Sequence, residues 1–171
     1  MKIVLLGYMG SGKSTIAKAL ALEMGIISKD LDKQIEAHVG LSIPEIFEQK
    51  GELFFRKKEH QVLEEEIKSD ANVVLALGGG TPCYSNNMDL ISSQENVRSI
   101  YLKASISSLT KRVLSDTSER PLITGIKAED IPEFIGKHLF ERMPFYERAD
   151  LIVSVDEKSV LQVVSEIRNL L

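Results

Sequence analysis

Residues 7–15, GYMGSGKST, combine glycines, a lysine and hydroxyls in the spacing G-x-x-x-x-G-K-[ST]. Glycines allow the backbone to wrap closely around phosphate oxygens, and the N–H groups at the start of a following helix then point at the anion. In this motif the lysine reaches the β- and γ-phosphates, and the hydroxyl after it ligates Mg²⁺. We therefore predict a nucleotide-binding loop whose candidate residues are Gly10, Ser11, Gly12, Lys13, Ser14 and Thr15.

The sequence on either side of this loop fits the prediction. An apolar strand is predicted at Lys2–Leu6, immediately before the loop. The helix predicted at Lys13–Met24 places apolar side chains on one side, namely Ile16, Leu20 and Met24. A glycine-rich turn with an incidental lysine is the alternative, but it does not require strand, motif and helix in this order. The loop does not reveal whether a phosphoryl group is transferred, or to what.

Two aspartates follow the second predicted strand, in the sequence KDLDK. In a parallel α/β sheet the carboxyl ends of the strands carry the ligands, so Asp30 and Asp32 lie at a candidate binding edge. Asp30 could lie near Mg²⁺, through a water molecule, while Asp32 reaches outward. Asp32 could instead cap the following helix, and this alternative stays open from the residues alone.

Three consecutive glycines, Gly78, Gly79 and Gly80, follow the third predicted strand. A tight turn explains one or two glycines, whereas three in a row suggest that another group approaches the backbone closely. The structural and the functional interpretation of this segment both stay open.

Three arginines are further candidates for anion binding. Arg56 lies in FFRKKEH, where its lysine neighbours favour a solvated helix face. Arg120 lies in ERPL, inside a polar segment, where it could fold over phosphates. Arg142 lies near the end of a predicted helix, where favourable helix-end charge is the simpler explanation.

The histidines show no metal-ligand spacing, and structural or surface roles are expected for His38, His60 and His138.

Composition argues against several classes of protein. The 171 residues are 43% apolar and 27% charged, so we expect one globular domain over residues 1–171. A net charge of −4 and a pI near 5.5 argue against nucleic-acid binding. No apolar run approaches the ~20 residues of a membrane span, and the run Ile3–Leu6 is too short for a signal peptide. Cys83 is the single cysteine, so no disulfide framework is expected. We expect a cytoplasmic protein.

Short apolar runs alternate with longer amphipathic ones, which predicts an α/β fold with a parallel sheet. The predicted strands are Lys2–Leu6, Gly25–Ser28, Val73–Leu77, Val97–Leu102 and Leu151–Val155. The predicted helices are Lys13–Met24, Asp32–Val39, Ile43–Gln49, Glu52–Ser69, Met88–Ser92, Ile106–Leu114, Ala128–Arg148 and Ser159–Leu170. A long helical stretch between the second and third strands exceeds what one crossover helix requires. The polar segment 115–127 has a length typical of lids or disordered loops.

Taken in order, these motifs resemble the shikimate kinase family. The matching stretches are GYMGSGKS, D-x-D at 30–32, F-R at 55–56, G-G-G at 78–80, R-P-L at 120–122 and R-x-P-x-Y at 142–146. The resemblance implies a three-layer P-loop kinase fold with a five-stranded parallel sheet. It also implies transfer of the ATP γ-phosphate to the 3-hydroxyl of shikimate, a helical substrate-binding subdomain near 31–61 and a mobile lid at 115–127.

The resemblance assigns roles around the acceptor. Arg56 and Arg142 would clamp the shikimate carboxylate, since a guanidinium suits a carboxylate bidentately. Asp32 would accept hydrogen bonds from hydroxyls and serve as the base. A carboxylate of ordinary pKa near 3.9 would be a weak base, although orienting the hydroxyl matters as much in a loose phosphoryl transfer. The segment lining the acceptor would be Gly78, Gly79 and Gly80.

On the donor side, Lys13, Arg120 and Mg²⁺ would neutralise charge on the transferred group. Ser14 and, through water, Asp30 would hold the Mg²⁺. In the family the loop after the last strand often places a basic residue and a proline against adenine. Here that loop reads VDEKSV, without arginine or proline, so Arg112 is the better candidate for stacking on the base. The expected partners are ATP and shikimate, with no nucleic acid, no membrane and a monomeric chain.

Other P-loop proteins remain as alternatives. A nucleoside-monophosphate kinase would bring a second phosphate, which Asp32 would repel. Gluconate kinases are harder to separate by charge, because gluconate is also a carboxylate with hydroxyls. A GTP-binding switch protein should contain N-K-x-D, which is not in the sequence. A nucleotide-binding regulatory module without turnover is not excluded by the phosphate loop alone.

Overall fold

The computed structural model describes residues 1–115 and 125–171. These residues form a five-stranded parallel sheet in the order β2-β3-β1-β4-β5. The strands are β1 (Lys2–Leu6), β2 (Ile27–Asp30), β3 (Val73–Ala76), β4 (Val97–Lys103) and β5 (Leu151–Ser154). The central strand β1, KIVLL, is buried along its whole length, as expected of a parallel strand covered on both faces. The predicted α/β fold with a parallel sheet is confirmed.

Helices connect the strands and cover the sheet. They are α1 (Lys13–Met24), α2 (Leu31–Val39), α3 (Ile43–Lys50), α4 (Glu52–Lys68), α5 (Asn87–Ser92), α6 (Ile106–Ser115), α7 (Ile131–Tyr146) and α8 (Val160–Leu170). Short 3₁₀ helices lie at Thr81–Cys83 and Ala128–Asp130. Helix α1 packs on β2 and β3 and against α8. The buried face of α8 consists of Val163, Val164 and Ile167.

The strand order reverses beside β1, and this decides where a ligand can bind. From β1 the chain proceeds to β2 and β3 on one side of the sheet, and then to β4 and β5 on the other. In such sheets ligands bind at the carboxyl ends of the strands where the order reverses. The segment 7–12 after β1 and the glycines at 78–80 after β3 both lie at this edge.

The predicted strand Gly25–Ser28 is wrong by two residues, since β2 spans Ile27–Asp30. Gly25 ends α1 in a left-handed conformation with φ of 66°, and its N–H donates to carbonyls of the last helical turn. The strand begins only after this cap. Asp30 is therefore the last residue of the strand, and Asp32 lies in the first turn of α2.

The predicted helix Ala128–Arg148 is divided in the structure. The 3₁₀ helix Ala128–Asp130 precedes α7, and Pro132 lies in the first turn of α7, a position that suits proline. Helix α7 ends at Tyr146, so Arg142 lies about one turn before its end.

The predicted lid at 115–127 falls mostly on residues 116–124, which lie outside the described residues, as does Arg120. The helices α2, α3 and α4 occupy the stretch between β2 and β3. The substrate-binding subdomain near 31–61 stays a prediction. Within the two described ranges, no helix combines the length and the apolar character needed to cross a membrane.

The start of α8 is fixed by a capping box. The Ser159 hydroxyl accepts from the N–H of Gln162 at 3.3 Å, and the Gln162 side chain accepts from the N–H of Ser159 at 2.8 Å. We expect Ser159→Ala to lower the free energy of unfolding by about 1 kcal/mol, because the N–H of Gln162 loses its side-chain acceptor. Urea denaturation followed by circular dichroism measures this change.

The matched control is Ser165→Ala, in the exposed middle of the same helix. It should be neutral or slightly stabilising, since alanine is the better helix former. Equal destabilisation by the two substitutions would contradict the capping role.

Candidate active site

The phosphate loop connects the buried strand β1 to α1. Gly7 lies so close to β4 that a Cβ atom there would be 2.8 Å from the carbonyl oxygen of Leu102. Gly12 precedes α1 with φ of 93°, a conformation that glycine adopts without strain. The Lys13 ammonium is buried and donates to the carbonyls of Gly7 at 2.8 Å and Tyr8 at 3.0 Å. The loop thus has the close backbone path and the inward lysine that phosphate binding requires.

The Ser14 hydroxyl joins α1 to the end of β2. It donates to Oδ2 of Asp30 at 2.6 Å. Among the residues that the structure describes, no group of three or more His, Cys, Asp or Glu side chains could hold a metal ion. A hydroxyl with one carboxylate is nevertheless a donor set that suits Mg²⁺, which takes hard oxygen ligands from one or two carboxylates and from substrate phosphates.

Asp32 lies in the first turn of α2 at the inner edge of the site. The N-cap position of α2 is Asp30, so the alternative in which Asp32 caps this helix is wrong. Burial, followed by the negative charges of Asp30 and Glu59, raises the pKa of Asp32 to about 6, although Lys13 opposes the shift. Asp32 is therefore a stronger base than an ordinary aspartate.

The three glycines at 78–80 each approach a different group. A Cβ atom on the first would lie 2.9 Å from Oδ1 of Asp32. On the second it would lie 3.3 Å from the backbone nitrogen of Met9 and 3.6 Å from Nη1 of Arg142. On the third it would lie 3.1 Å from Nη2 of Arg56. None of the three has a positive φ, so close approach, and not backbone conformation, explains the glycines.

Arg56 does not lie on a solvated helix face, although Lys57 beside it is exposed. The Arg56 side chain is only 15% exposed, and its guanidinium carbon lies 3.8 Å from the centre of the Tyr84 ring. Its Nη1 donates to Oε2 of Glu59 at 2.8 Å. Stacking and the ion pair together fix the guanidinium beside the glycines.

Glu59 is a residue of the site that the sequence analysis missed. It is only 1% exposed, and it accepts from Arg56 and from the Thr81 hydroxyl, the latter at 2.7 Å. The Asn87 amide in turn donates to the Thr81 carbonyl at 2.7 Å. The i,i+3 spacing of Arg56 and Glu59 could have indicated their pairing. Thr81 comes from a separate segment, so only the fold reveals that Glu59 joins α4 to the residues after the glycines.

Arg142 reaches the glycines from α7. It is 8% exposed, and its Nη2 lies 3.2 Å from Nε2 of His138. Its guanidinium carbon lies 5.6 Å from the centre of the Tyr8 ring. Tyr146, one turn later, donates to the Gly79 carbonyl at 2.5 Å. A buried arginine with these contacts is not explained by helix-end charge.

The other two histidines, His38 and His60, have different contacts. His38 is exposed, with Nε2 3.3 Å from a Glu65 carboxylate oxygen. Nδ1 of His60 lies 2.6 Å from the Asn87 side-chain oxygen. These contacts agree with the surface and structural roles expected for both residues.

Arg112 connects the phosphate loop to the segment after β5. Its Nη1 donates to the carbonyls of Gly10 at 3.2 Å and Ser11 at 3.4 Å, and its Nη2 donates to the Val155 carbonyl at 3.1 Å. A cavity of about 270 Å³ lies beside this junction, lined also by Thr15, Lys158, Val160 and Val163. The loop after β5 therefore lines a cavity even without the arginine or proline common in the family.

A larger cavity of about 410 Å³ brings most of the predicted residues together. The candidates that line it are Gly10, Gly12, Lys13, Ser14, Thr15, Asp30, Asp32, Gly78, Gly79 and Arg112. Arg56 lies beside Gly80, and Arg142 lies beside Gly79, next to this cavity. The buried Ser11 lines the neighbouring 270 Å³ cavity.

The fold and this edge define a P-loop phosphotransferase. The phosphate loop lies between the first strand and the first helix, and Asp32, Arg56 and Arg142 lie beside the glycines at 78–80. The site therefore has two sides. The phosphate loop forms the phosphate-binding side, and the arginines with Asp32 form a second side suited to a small anionic acceptor.

Comparisons with known proteins identify the family. A model of the shikimate kinase family matches residues 9–171. The shikimate kinase of Flavobacterium johnsoniae is 48% identical over 99% of this chain and 98% of its own length. The structure of shikimate kinase from Bacteroides thetaiotaomicron superposes with a TM-score of 0.91 at 31% identity, covering 99% of this chain and 97% of that one.

A second solved structure is that of shikimate kinase from Acinetobacter baumannii in complex with shikimate. It superposes with a TM-score of 0.87 at 30% identity, covering 99% of this chain and 91% of that one. The chain belongs to the shikimate kinase family. The predicted resemblance and the P-loop kinase fold are confirmed.

Asp32 yields a test of the electrostatics of the site. With its pKa raised from 3.8 to about 6, the carboxylate is ionised at about pH 8 at a cost to the folded state. We expect Asp32→Asn to remove that cost and to raise the free energy of unfolding at pH 8, by on the order of 2 kcal/mol. The gain should shrink as the pH falls through about 6 towards 4, because the carboxyl group is then protonated before unfolding. Urea denaturation across this range measures it.

Asp156→Asn is the control of opposite sign. Burial alone would raise the pKa of Asp156, but hydrogen bonds from Ser108 and Ser105 lower this pKa below its ordinary value. Its carboxylate therefore stabilises the fold above its ordinary pKa, and the amide should lower stability at pH 8. If Asp32→Asn also lowered stability at pH 8, the raised pKa of Asp32 would be refuted.

Proposed function

We propose that this chain transfers the γ-phosphate of ATP to the 3-hydroxyl of shikimate, giving shikimate 3-phosphate and ADP in the biosynthesis of aromatic amino acids. The observation that carries the proposal is the convergence of Asp32, Arg56 and Arg142 on three consecutive glycines beside the phosphate loop. Membership of the shikimate kinase family, and a relative whose structure contains shikimate, support the choice of acceptor.

The two arginines bind the acceptor carboxylate in this proposal. Shikimate has one carboxylate and three hydroxyls, and a guanidinium can donate two parallel hydrogen bonds to a carboxylate. Arg56 is held by Glu59 and Tyr84, and Arg142 by the packing of α7, so both lose little conformational entropy on binding. Gly78, Gly79 and Gly80 let the ring approach the backbone.

Asp32 orients the 3-hydroxyl and accepts its proton. An ionised carboxylate only accepts hydrogen bonds, so it can hold a hydroxyl with the oxygen lone pairs free to attack phosphorus. A base is most effective when its pKa lies near the working pH, and the raised pKa of Asp32, about 6, brings it closer to that condition. The proton passes from the hydroxyl to the carboxylate as the new P–O bond forms and the bond between the γ-phosphorus and the bridging oxygen breaks, which releases ADP.

The nucleotide occupies the other side of the cavity. The backbone of residues 10–15 receives the phosphates, and the buried Lys13 ammonium exchanges its carbonyl partners for phosphate oxygens. Adenine enters the 270 Å³ cavity beside Arg112, whose guanidinium holds the phosphate loop against the segment after β5. We also assign Arg120 to the transferred phosphate, from its position in the polar segment 115–127.

Mg²⁺ is the metal that we expect with ATP. Ser14 and Asp30 would hold it, Asp30 through water, and their hydroxyl and carboxylate oxygens are the hard ligands that this ion prefers. When bound, the ion neutralises charge on the β- and γ-phosphates. We place the reaction in the cytoplasm and expect a monomer. The single cysteine, Cys83, fits a reducing compartment.

The identity of the acceptor can be tested by measuring ADP release. ADP release should require both Mg²⁺ and shikimate, because the phosphate loop holds the donor and the arginine edge selects the acceptor. The assay supplies Mg²⁺-ATP with shikimate, gluconate, AMP or no acceptor. Equal ADP release with gluconate would overturn the assignment of shikimate. Nucleotide binding without turnover on any acceptor would favour the regulatory-module alternative.

The role of Arg56 can be tested by substitution. Arg56→Ala should weaken shikimate binding by about 2–5 kcal/mol, since it removes the cation from the charge pair between Arg56 and the acceptor carboxylate. ATP affinity should barely change. Isothermal titration of each ligand measures both quantities.

Lys57→Ala is the matched control, because the neighbouring side chain is exposed on the same helix. It should leave both affinities unchanged. Normal shikimate binding by Arg56→Ala would remove Arg56 from the acceptor site.

A further inference from the structure

His138 lies one helical turn before Arg142 in α7 and contacts it directly. Its Nε2 is 3.2 Å from Nη2 of Arg142, and its Nδ1 is 3.1 Å from the hydroxyl oxygen of Tyr8. A guanidinium only donates hydrogen bonds, so Nε2 is the unprotonated, accepting nitrogen. Nδ1 therefore carries the proton and donates to the Tyr8 hydroxyl. The two contacts together select one tautomer and one ring orientation.

Tyr8 anchors this arrangement to the phosphate loop. It follows Gly7 in the loop, its side chain is almost fully buried, and its carbonyl accepts from Lys13 at 3.0 Å. The Tyr8 ring meets His138 edge-on at 5.9 Å between centroids, and Phe134 lies against His138 at 5.0 Å. The imidazole is thus held from the phosphate loop on one side and from α7 on the other.

Arg142 and Arg56 differ in their carboxylate partners. Arg56 forms ion pairs with Glu52 and Glu59, whereas within residues 1–115 and 125–171 no carboxylate lies at ion-pair distance from Arg142. Burial and the positive charge of Arg142 lower the pKa of His138, so its imidazole is neutral near pH 7. A neutral acceptor orients a guanidinium without cancelling its charge.

We propose that His138 is a positioning residue for the acceptor: anchored to the phosphate loop through Tyr8, it holds the Arg142 guanidinium in the orientation that receives the acceptor carboxylate. The inference rests on the proposed function, which assigns that carboxylate to Arg142 and Arg56. It adds that the acceptor side of the site is built in part on a side chain of the phosphate loop itself.

Two amide substitutions separate the two contacts of the imidazole. His138→Gln can place an amide oxygen near the former Nε2 and so keep an acceptor for Arg142. His138→Asn is shorter and can keep only the group near Nδ1 that faces Tyr8. Tyr8→Phe keeps the ring but removes the hydroxyl that accepts from Nδ1. The measurements are kcat, KM for shikimate and KM for ATP, with the melting temperature of each variant.

His138→Asn should raise KM for shikimate about tenfold, the scale of one lost hydrogen bond to a charged group. KM for ATP should change less than about twofold, because the phosphate loop keeps its backbone contacts. His138→Gln should stay within about threefold of the wild type for shikimate, and Tyr8→Phe should fall between the two, because it loosens His138 without removing it.

Equal KM values for shikimate in the wild type and His138→Asn would overturn the inference. So would parallel rises in both KM values, or an equal defect in the Gln and Asn variants, since these outcomes indicate general damage to the fold. If His138→Asn does not fold, Tyr8→Phe decides by the same ratio of the two KM values. Failure of the proposed function is recognised separately, as wild-type enzyme that neither binds nor phosphorylates shikimate.

Discussion

The site depends on the absence of side chains at residues 78–80. Asp32, Arg142 and Arg56 come from three different helices, α2, α7 and α4, and they approach one short segment because it is bare backbone. Any Cβ atom there would displace a charged group or the backbone of the phosphate loop at Met9. The three glycines therefore determine how closely the helices pack on the end of β3. This packing distance in turn determines the width of the acceptor side of the site.

Three carboxylates lie close together at this edge, and their partners decide what each can do. Asp30 accepts from Ser14, and Glu59 is paired with Arg56 and Thr81. Burial is the largest cause of the raised pKa of Asp32, and the negative charges of the other two carboxylates add to it. Repulsion from the neighbouring carboxylates therefore raises the basicity of Asp32, which is the residue proposed to accept the proton. The buried sheet behind it supplies the stability that tolerates this cost.

The sequence predicts those features that are specified by neighbouring residues, and it does not predict those that depend on contacts between distant segments. The limits of β1 and α1 are correct because strand, loop and helix are specified by contiguous residues. The predicted start of β2 is wrong because Gly25, which was assigned to the strand, ends helix α1 instead. Glu59 was missed because its burial depends on Thr81, 22 residues away along the chain. Tyr8 occupies a variable position of the loop motif, so its contact with His138 has no local signal.

Within residues 1–115 and 125–171, Arg56 has carboxylate partners, whereas Arg142 has none at ion-pair distance. Arg56 is balanced by the buried Glu59, while Arg142 is oriented by a neutral imidazole and keeps its charge. Two guanidinium groups without carboxylate partners would repel each other, and two fully paired ones would attract an anion weakly. One guanidinium without a carboxylate partner among the described residues suits an acceptor with a single carboxylate, whereas Asp32 would repel a phosphate dianion. Gluconate carries the same single charge as shikimate, so discrimination between these two must come from shape, in the space that residues 78–80 leave beside Asp32.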